Sequence, residues 1–80
     1  MTFSQTQLDE LGLLARFNLD SGQQGIKIHS DAPEGLIDAG RRLHAKGMIT
    51  LPDGGYLTAL GHETSEHVQS LRSLLGDSDA

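Results

Sequence analysis

The fold is decided by residues 41–58, which read RRLHAKGMITLPDGGYLT. The segment has the pattern of a helix end, a strand, a tight turn and a second strand. Gly47 suits the left-handed position just past a helix end, where a side chain would clash. The turn at residues 52–55 is Pro-Asp-Gly-Gly, in which proline presets φ and glycine accepts positive φ. These residues predict a helix that runs directly into a β-hairpin of strands 48–51 and 56–58.

A first helix is predicted over residues 5–17. Ser4 and Gln7 have the types and spacing of a capping box, in which each side chain bonds the other residue's backbone amide. Phe3 and Leu8 flank the cap and are placed for a hydrophobic staple. The stripe expected to face the core contains Leu8, Leu11, Leu14, Ala15 and Asn18, widened by Leu13 and Phe17.

A polar loop over residues 18–24 leads to a short strand over residues 25–29. Ile26 and Ile28 alternate there with polar residues, which is typical of a half-buried strand. Because a single strand has to pair with another, the hairpin is its expected partner.

The second helix is predicted to begin after Asp31, the expected N-cap, and to end at Lys46. Pro33 is tolerated in the first turn, where its missing amide would have no helical partner. Gly40 lowers helix stability by about 1 kcal/mol relative to alanine, so we expect another backbone to approach closely there. The inward face is expected to contain Leu36, Ile37, Gly40 and Leu43.

The third helix is predicted to begin after Thr58, a good N-cap, and to stop at Gly76. Gly61 in its first turn permits close packing against the hairpin. Residues 77–80 are expected to form a frayed acidic tail, as residues 1–3 fray at the other end. The apolar stripe contains Leu60, Thr64, Val68, Leu71 and Leu75, widened by His67 and Leu74.

These elements predict one α+β domain over residues 1–80, with the order α-β-α-β-β-α and a small antiparallel sheet that contains the hairpin. A chain of 80 residues has a marginal core, so burial through dimerisation would help it. The chain has no cysteine and no stretch of membrane-spanning length, which favours a cytoplasmic protein without membrane contact. The net charge is −5, yet residues 32–50 carry +1, so the helix that leads into the hairpin is locally basic.

Residues 43–49, LHAKGMI, and residues 53–61, DGGYLTALG, resemble the winged-helix group of bacterial regulators. In that group the helix before the wing ends in a basic residue and a glycine. The return strand of the wing carries Leu-Thr, and another glycine follows three residues after that threonine. Gly47, Thr58 and Gly61 match these positions. The whole chain is similar to a short family of uncharacterised bacterial proteins commonly labelled DNA-binding, and the resemblance implies a winged-helix-like fold.

The resemblance also implies that helix 33–46 is a recognition helix that contacts double-stranded DNA together with the 48–58 hairpin. Two features depart from the group: only one helix instead of two lies between the first strand and the hairpin, and Asp53 stands where a wing would carry Arg or Lys. The alternative is a solvated helix face on which Asp38 pairs with its basic neighbours. The implied nucleic-acid-binding residues are Arg41, Arg42, Lys46, Thr50 and Tyr56.

No catalytic site, cofactor, metal or small-molecule substrate is expected. His62 and His67 are five residues apart, whereas the helical zinc-protease motif needs two histidines four apart. We therefore expect ordinary helical pairs, His62 with Glu66 and Glu63 with His67. The Pro-Asp-Gly-Gly turn lacks the lysine and the following helix of a phosphate-binding loop.

Two functions remain open from the sequence. One is a DNA-binding or transcription-associated homodimer, and the other is a protein-interaction or dimerisation module that does not bind DNA. A DNA reader needs Arg41, Arg42 and Lys46 on one continuous exposed patch, whereas an interaction module predicts that carboxylates pair with them. In either case the expected dimer interface lies on the third helix at Leu60, Val68, Leu71 and Leu75.

Overall fold

The computed structural model describes residues 2–20 and 24–76 of the chain. The α+β class and the predicted order α-β-α-β-β-α are confirmed. The predicted fraying of residues 77–80, and of Met1, lies outside the described residues. The elements are α1 (Gln5–Leu14), β1 (Ile26–Lys27), α2 (Glu34–Ala45), β2 (Ile49–Leu51), β3 (Gly54–Leu57) and α3 (Ala59–Leu75).

The three strands form one antiparallel sheet in the order β1-β3-β2, so the short first strand pairs with the hairpin as predicted. Ile26 lies opposite Gly55, and the Ile28 amide donates to the Asp53 carbonyl at 2.7 Å. Strand β3 begins at Gly54 rather than at Tyr56. Gly54 has φ 123°, and a Cβ there would lie 2.4 Å from the Ile26 carbonyl oxygen. Glycine at this position therefore lets β1 approach the hairpin turn.

Helix α1 begins at the predicted capping box and ends at Leu14, three residues earlier than predicted. Its buried stripe is Glu10, Leu13, Leu14 and Phe17, with Phe17 in the turn that follows the helix. Leu8 and Asn18 were expected in this stripe, yet both are exposed. The stripe is rotated because α2 packs against the side of α1 that carries Glu10, a charged residue that hydrophobic patterning cannot assign to a core.

Helix α2 begins at Glu34 with Pro33 as its N-cap, so the prediction of Asp31 as cap is wrong. Ala32 precedes a proline and is therefore disfavoured in helical conformation, which prevents the helix from starting before Pro33. The Pro33 carbonyl accepts from the Leu36 and Ile37 amides at 3.0 and 3.1 Å. At the other end Gly47 has φ 78°, as expected for a residue just past a helix.

Two helical glycines mark close approaches of backbone, as predicted. A Cβ on Gly61 would lie 1.8 Å from the carbonyl oxygen of Met48, and one on Gly40 would lie 2.8 Å from the carbonyl oxygen of Pro52. The Met48 carbonyl also accepts from the Thr58 amide at 3.0 Å. The first turn of α3 therefore lies directly against the residue that precedes β2.

Side chains of helix α3 donate hydrogen bonds to backbone carbonyls at and just after the end of α1. Ser65 is fully buried, and its hydroxyl donates to the Leu14 carbonyl at 2.6 Å. The side-chain amide of Gln69 donates to the Phe17 carbonyl at 2.9 Å. These bonds add partners to carbonyls at the end of α1 and in the turn after it, where no amide four residues on continues the helix. The core between the elements consists of Leu13, Leu14, Phe17, Ile28, Ala39, Leu43 and Ile49.

We expect Gly61→Ala to lower the free energy of unfolding by about 1–3 kcal/mol or more, because the added methyl group meets a backbone carbonyl that cannot rotate away. Gly12→Ala is the matched control. Gly12 lies inside α1, and a Cβ there has no heavy atom within 4 Å. The control should gain about 0.5–1 kcal/mol from its higher helix propensity. Urea unfolding of both variants measures the difference, and equal effects would contradict the close approach at Gly61.

Candidate functional site

The three basic residues predicted to contact DNA do not form one patch. Arg41 lines a cleft between α2 and the turn that joins β2 to β3. Arg42 and Lys46 lie on the side of α2 that faces α1, where both meet Glu10. The one-residue step from Arg41 to Arg42 turns the helix by about 100° at 3.6 residues per turn, which is enough to send the two side chains to different neighbours.

Arg42, Lys46 and Glu10 form a group that we call the Glu10 cluster. The Glu10 side chain is 8% exposed. Its carboxylate accepts a hydrogen bond from the Lys46 ammonium and lies 3.7 Å from Arg42 Nε. The Arg42 guanidinium also donates to the Thr6 carbonyl at 3.3 Å. A buried carboxylate needs such partners because desolvation penalises its charge, so these two cations join α2 to α1.

The cleft beside Arg41 has a volume of about 650 Å³. Arg41 is largely exposed, with 71% of its side chain accessible, and lies 3.9 Å from the Asp38 carboxylate. The other residues that line the cleft include Lys27, Ile28, His29, Pro52 and Asp53.

Lys27 and Asp53 form an ion pair across the cleft wall, between β1 and the hairpin turn. Accepting a hydrogen bond from the Lys27 ammonium lowers the pKa of the Asp53 carboxyl below its ordinary value. Asp53 therefore stays ionised and offsets the charge of Lys27. Asp53, the acidic residue noted in the hairpin turn from the sequence, is thus paired with Lys27 of β1.

Thr50 and Tyr56 lie on the hairpin and are not among the residues that line the cleft. The Tyr56 amide donates to the Thr50 hydroxyl at 2.9 Å, so that hydroxyl fastens β2 to β3. The Tyr56 ring lies over Gly25, since a Cβ on Gly25 would be 3.1 Å from it. Both residues are exposed.

Across the described ranges, four of the six Lys and Arg residues are within ion-pair distance of a carboxylate. They are Lys27, Arg41, Arg42 and Lys46. The four include every basic residue of α2 and β1. The locally basic segment 32–50 is therefore largely paired with carboxylates, those of Asp38 and Glu10.

Helix α3 carries an apolar surface that no other described element covers. Leu74 and Leu75 have 83% and 69% of their area exposed, and Leu60 and Leu71 are also exposed. We call these four residues the α3 leucine surface. Val68, which was predicted to share the interface, is instead partly buried against the core. Every residue from 70 to 76 is exposed, so the last two turns of α3 project beyond the core.

A groove between α1 and α3, the α1–α3 groove, has a volume of about 180 Å³ and was not anticipated from the sequence. It runs beside Thr64 of α3, and the Glu10 cluster contributes Glu10 and Lys46 to its edge. The signal that was available is the spacing of Gln7 and Leu11, which places both side chains on one side of α1, with Phe3 just before the helix. Its remaining lining residues are Leu14, Leu43 and Met48.

Neither a metal site nor a membrane span is found in the described part of the chain. Residues 2–20 and 24–76 contain no group of three or more His, Asp or Glu that could hold a metal ion. No helix there is both long and apolar enough to cross a bilayer. His62 pairs with Glu66, with 3.3 Å between Nδ1 and Oε1, as the helical spacing predicted.

The chain belongs to the family described as "Family of unknown function (DUF5669)", whose model matches residues 1–76. The predicted resemblance to a small uncharacterised family is confirmed at this level, and the family description names neither a winged helix nor DNA. Comparisons with curated proteins and with solved structures found no match.

We expect Glu10→Gln to lower the free energy of unfolding by about 1–3 kcal/mol, because it leaves the partly buried Arg42 without a counter-charge. Glu66→Gln is the matched control, since Glu66 is exposed and pairs only with His62. The control should change stability by less than about 0.5 kcal/mol. Urea unfolding at neutral pH compares the two. An equal, small effect would mean that the Glu10 cluster does not hold α1 to α2.

Proposed function

We propose that this member of the DUF5669 family is a non-catalytic protein-interaction module that forms a homodimer through the α3 leucine surface. One observation carries the proposal: the last two turns of α3 project from the core with Leu71, Leu74 and Leu75 exposed. Contiguous exposed apolar residues on a small domain mark an interaction site, since leaving them in water forgoes their burial energy.

The size of the domain supports a second copy as the partner. Among the described residues the core contains seven buried hydrophobic side chains, so the isolated subunit has little buried area to offset the entropy of folding. Burying one leucine side chain contributes about 1.5–3 kcal/mol. In a two-fold dimer the same leucines are covered on both subunits. Each leucine therefore adds buried apolar area at two places in the interface.

The charges support this proposal over nucleic-acid binding. Arg41, Arg42 and Lys46 all lie beside carboxylates, which is the arrangement expected of an interaction module. Binding to a phosphate backbone gains its energy when protein cations release condensed counterions. Cations that are already paired with carboxylates offer less of this gain, and the net charge of −5 opposes the approach of a polyanion.

Light scattering at high micromolar concentration should give a dimer mass for the unmodified chain. Leu75→Asp should weaken the dimer by at least about tenfold, which corresponds to 1.4 kcal/mol. Ser73→Asp adds the same charge in the same turn, roughly 200° around the helix, and should leave the dimer intact. Circular dichroism checks that both variants keep their helices. A monomer mass for the unmodified chain would reject the proposal.

DNA binding through α2 and the hairpin is a second candidate, as the winged-helix resemblance implies. It is favoured by the position of Arg41, whose 3.9 Å contact with Asp38 is long and exposed. Such pairs contribute little energy, so a phosphate group can replace the carboxylate. Lys27 and His29 line the same cleft and would extend the contact.

Fluorescence anisotropy with mixed-sequence duplex DNA at low and moderate salt separates the two candidates. The interaction module predicts no binding at low salt, where phosphate contacts are strongest. If DNA does bind, Arg41→Ala should weaken the complex and reduce the salt slope by about 0.9. Arg72→Ala, on α3, is the control and should leave binding unchanged. Binding that depends on Arg41 would replace the leading proposal with the second candidate.

A further inference from the structure

We propose that the cleft beside Arg41 binds a small organic monocarboxylate, whose apolar body covers the apolar part of the cleft lining. The volume of about 650 Å³ lies within the range of about 300–1,000 Å³ that is typical of ligand pockets. The cleft shares no lining residue with the α3 leucine surface, so this ligand site is independent of the proposed homodimer.

Three separate parts of the chain form the walls of the cleft. They are residues 27–30, helix α2 and the hairpin turn. The Ile28 amide holds the turn through its hydrogen bond to the Asp53 carbonyl, and α2 approaches the turn at Gly40, beside the Pro52 carbonyl. Walls that are fixed to each other lower the ordering cost of binding. No small-molecule ligand is expected from the sequence, because these segments meet only in the folded chain.

Part of the lining is apolar. Ile28 is 7% exposed and belongs to the core, and Ile37 is partly buried against that core. Pro52 adds an exposed apolar ring at the edge of the cleft. A ligand with an apolar body would remove this surface from water, which is favourable in proportion to the area covered.

Arg41 supplies the group that recognises the carboxylate. Its guanidinium carries five N–H donors in a planar fork that matches the two oxygens of a carboxylate. The ion pair with Asp38 spans 3.9 Å, which is longer than a hydrogen bond, so that pair uses none of these donors. Asp38 is 57% exposed, so water solvates it when the ligand takes its place, and the exchange costs little.

The charge of the lining matches a single negative charge. Lys27 and Arg41 contribute two positive charges and Asp53 one negative charge, which leaves +1 with His29 counted as neutral. A monocarboxylate balances this charge. A phosphate monoester carries about −1.5 to −2 near neutral pH, which exceeds it and adds repulsion from Asp53. The lining therefore favours a carboxylate over a phosphate monoester.

Nuclear magnetic resonance of the isotope-labelled chain, titrated with sodium benzoate, tests the proposal. Benzoate carries one carboxylate on an apolar ring. We expect saturable amide shifts concentrated at residues 27–30, 37–41 and 52–53. Acetate lacks the ring and benzyl alcohol lacks the charge, so each should bind at least about tenfold more weakly than benzoate.

Arg41→Gln should weaken benzoate binding at least about tenfold, because a neutral amide replaces the charged fork. Arg72→Gln is the matched control, since Arg72 is exposed on α3 outside the cleft, and it should leave the affinity unchanged. Amide shifts away from the substituted residue verify that both variants keep the fold.

Equal affinities of the Arg41→Gln and Arg72→Gln variants would overturn the proposal, as would shifts centred outside the cleft or the absence of saturable shifts. Inorganic phosphate, added in a separate titration, distinguishes the two kinds of anion. Tighter binding of phosphate than of benzoate at the same residues would overturn the assignment of a carboxylate ligand.

Discussion

The carbonyl of Met48 is the contact on which the arrangement of this domain depends. It accepts the Thr58 amide and lies so close to Gly61 that no side chain fits between them. Since Thr58 also caps α3, with its hydroxyl accepting from the Gly61 amide at 3.0 Å, the start of that helix is fixed to the hairpin. The direction of α3 then follows. It carries Ser65 and Gln69 to the end of α1 and sends the leucines beyond the core.

A second constraint is the burial of Glu10. A carboxylate in a small core is tolerated only with partners, and α2 supplies Arg42 and Lys46. The same two residues, read from the sequence, belong to a basic helix that resembles a recognition helix. In the fold they hold two helices together. This change of role weakens the argument from basic residues to nucleic acid, because Arg42 and Lys46 are paired with Glu10 and do not form one patch with Arg41.

The exposed surfaces of α3 and α2 differ in character. The surface of α3 is apolar, and the charges on and beside α2 are largely paired. The ion pairs of Lys27 with Asp53 and of Arg41 with Asp38 leave little uncompensated positive charge beside the cleft. The α3 leucine surface, by contrast, has nothing within the described residues to cover it. Covering that surface would add apolar burial to a small core, which is the reason that we propose self-association.

The sequence by itself determined the parts of the fold that depend on near neighbours. The capping box at Ser4, the stop at Gly47, the Pro-Asp-Gly-Gly turn and the cap at Thr58 each involve residues within a few positions of one another. Gly40 and Gly61 indicated close approaches because glycine inside a helix needs a compensating reason. The α+β order followed from these signals without knowledge of the packing.

Only the tertiary structure decided which side of each helix faces which neighbour. The burial of Glu10, the exposure of Leu8 and the separation of Arg41 from Arg42 all depend on how α1 and α2 meet. A pattern along one helix gives the width of its apolar stripe but not the identity of the helix that covers it. Charged residues are also assigned to solvent unless their partners, 32 and 36 residues away in the case of Glu10, are known to lie beside them.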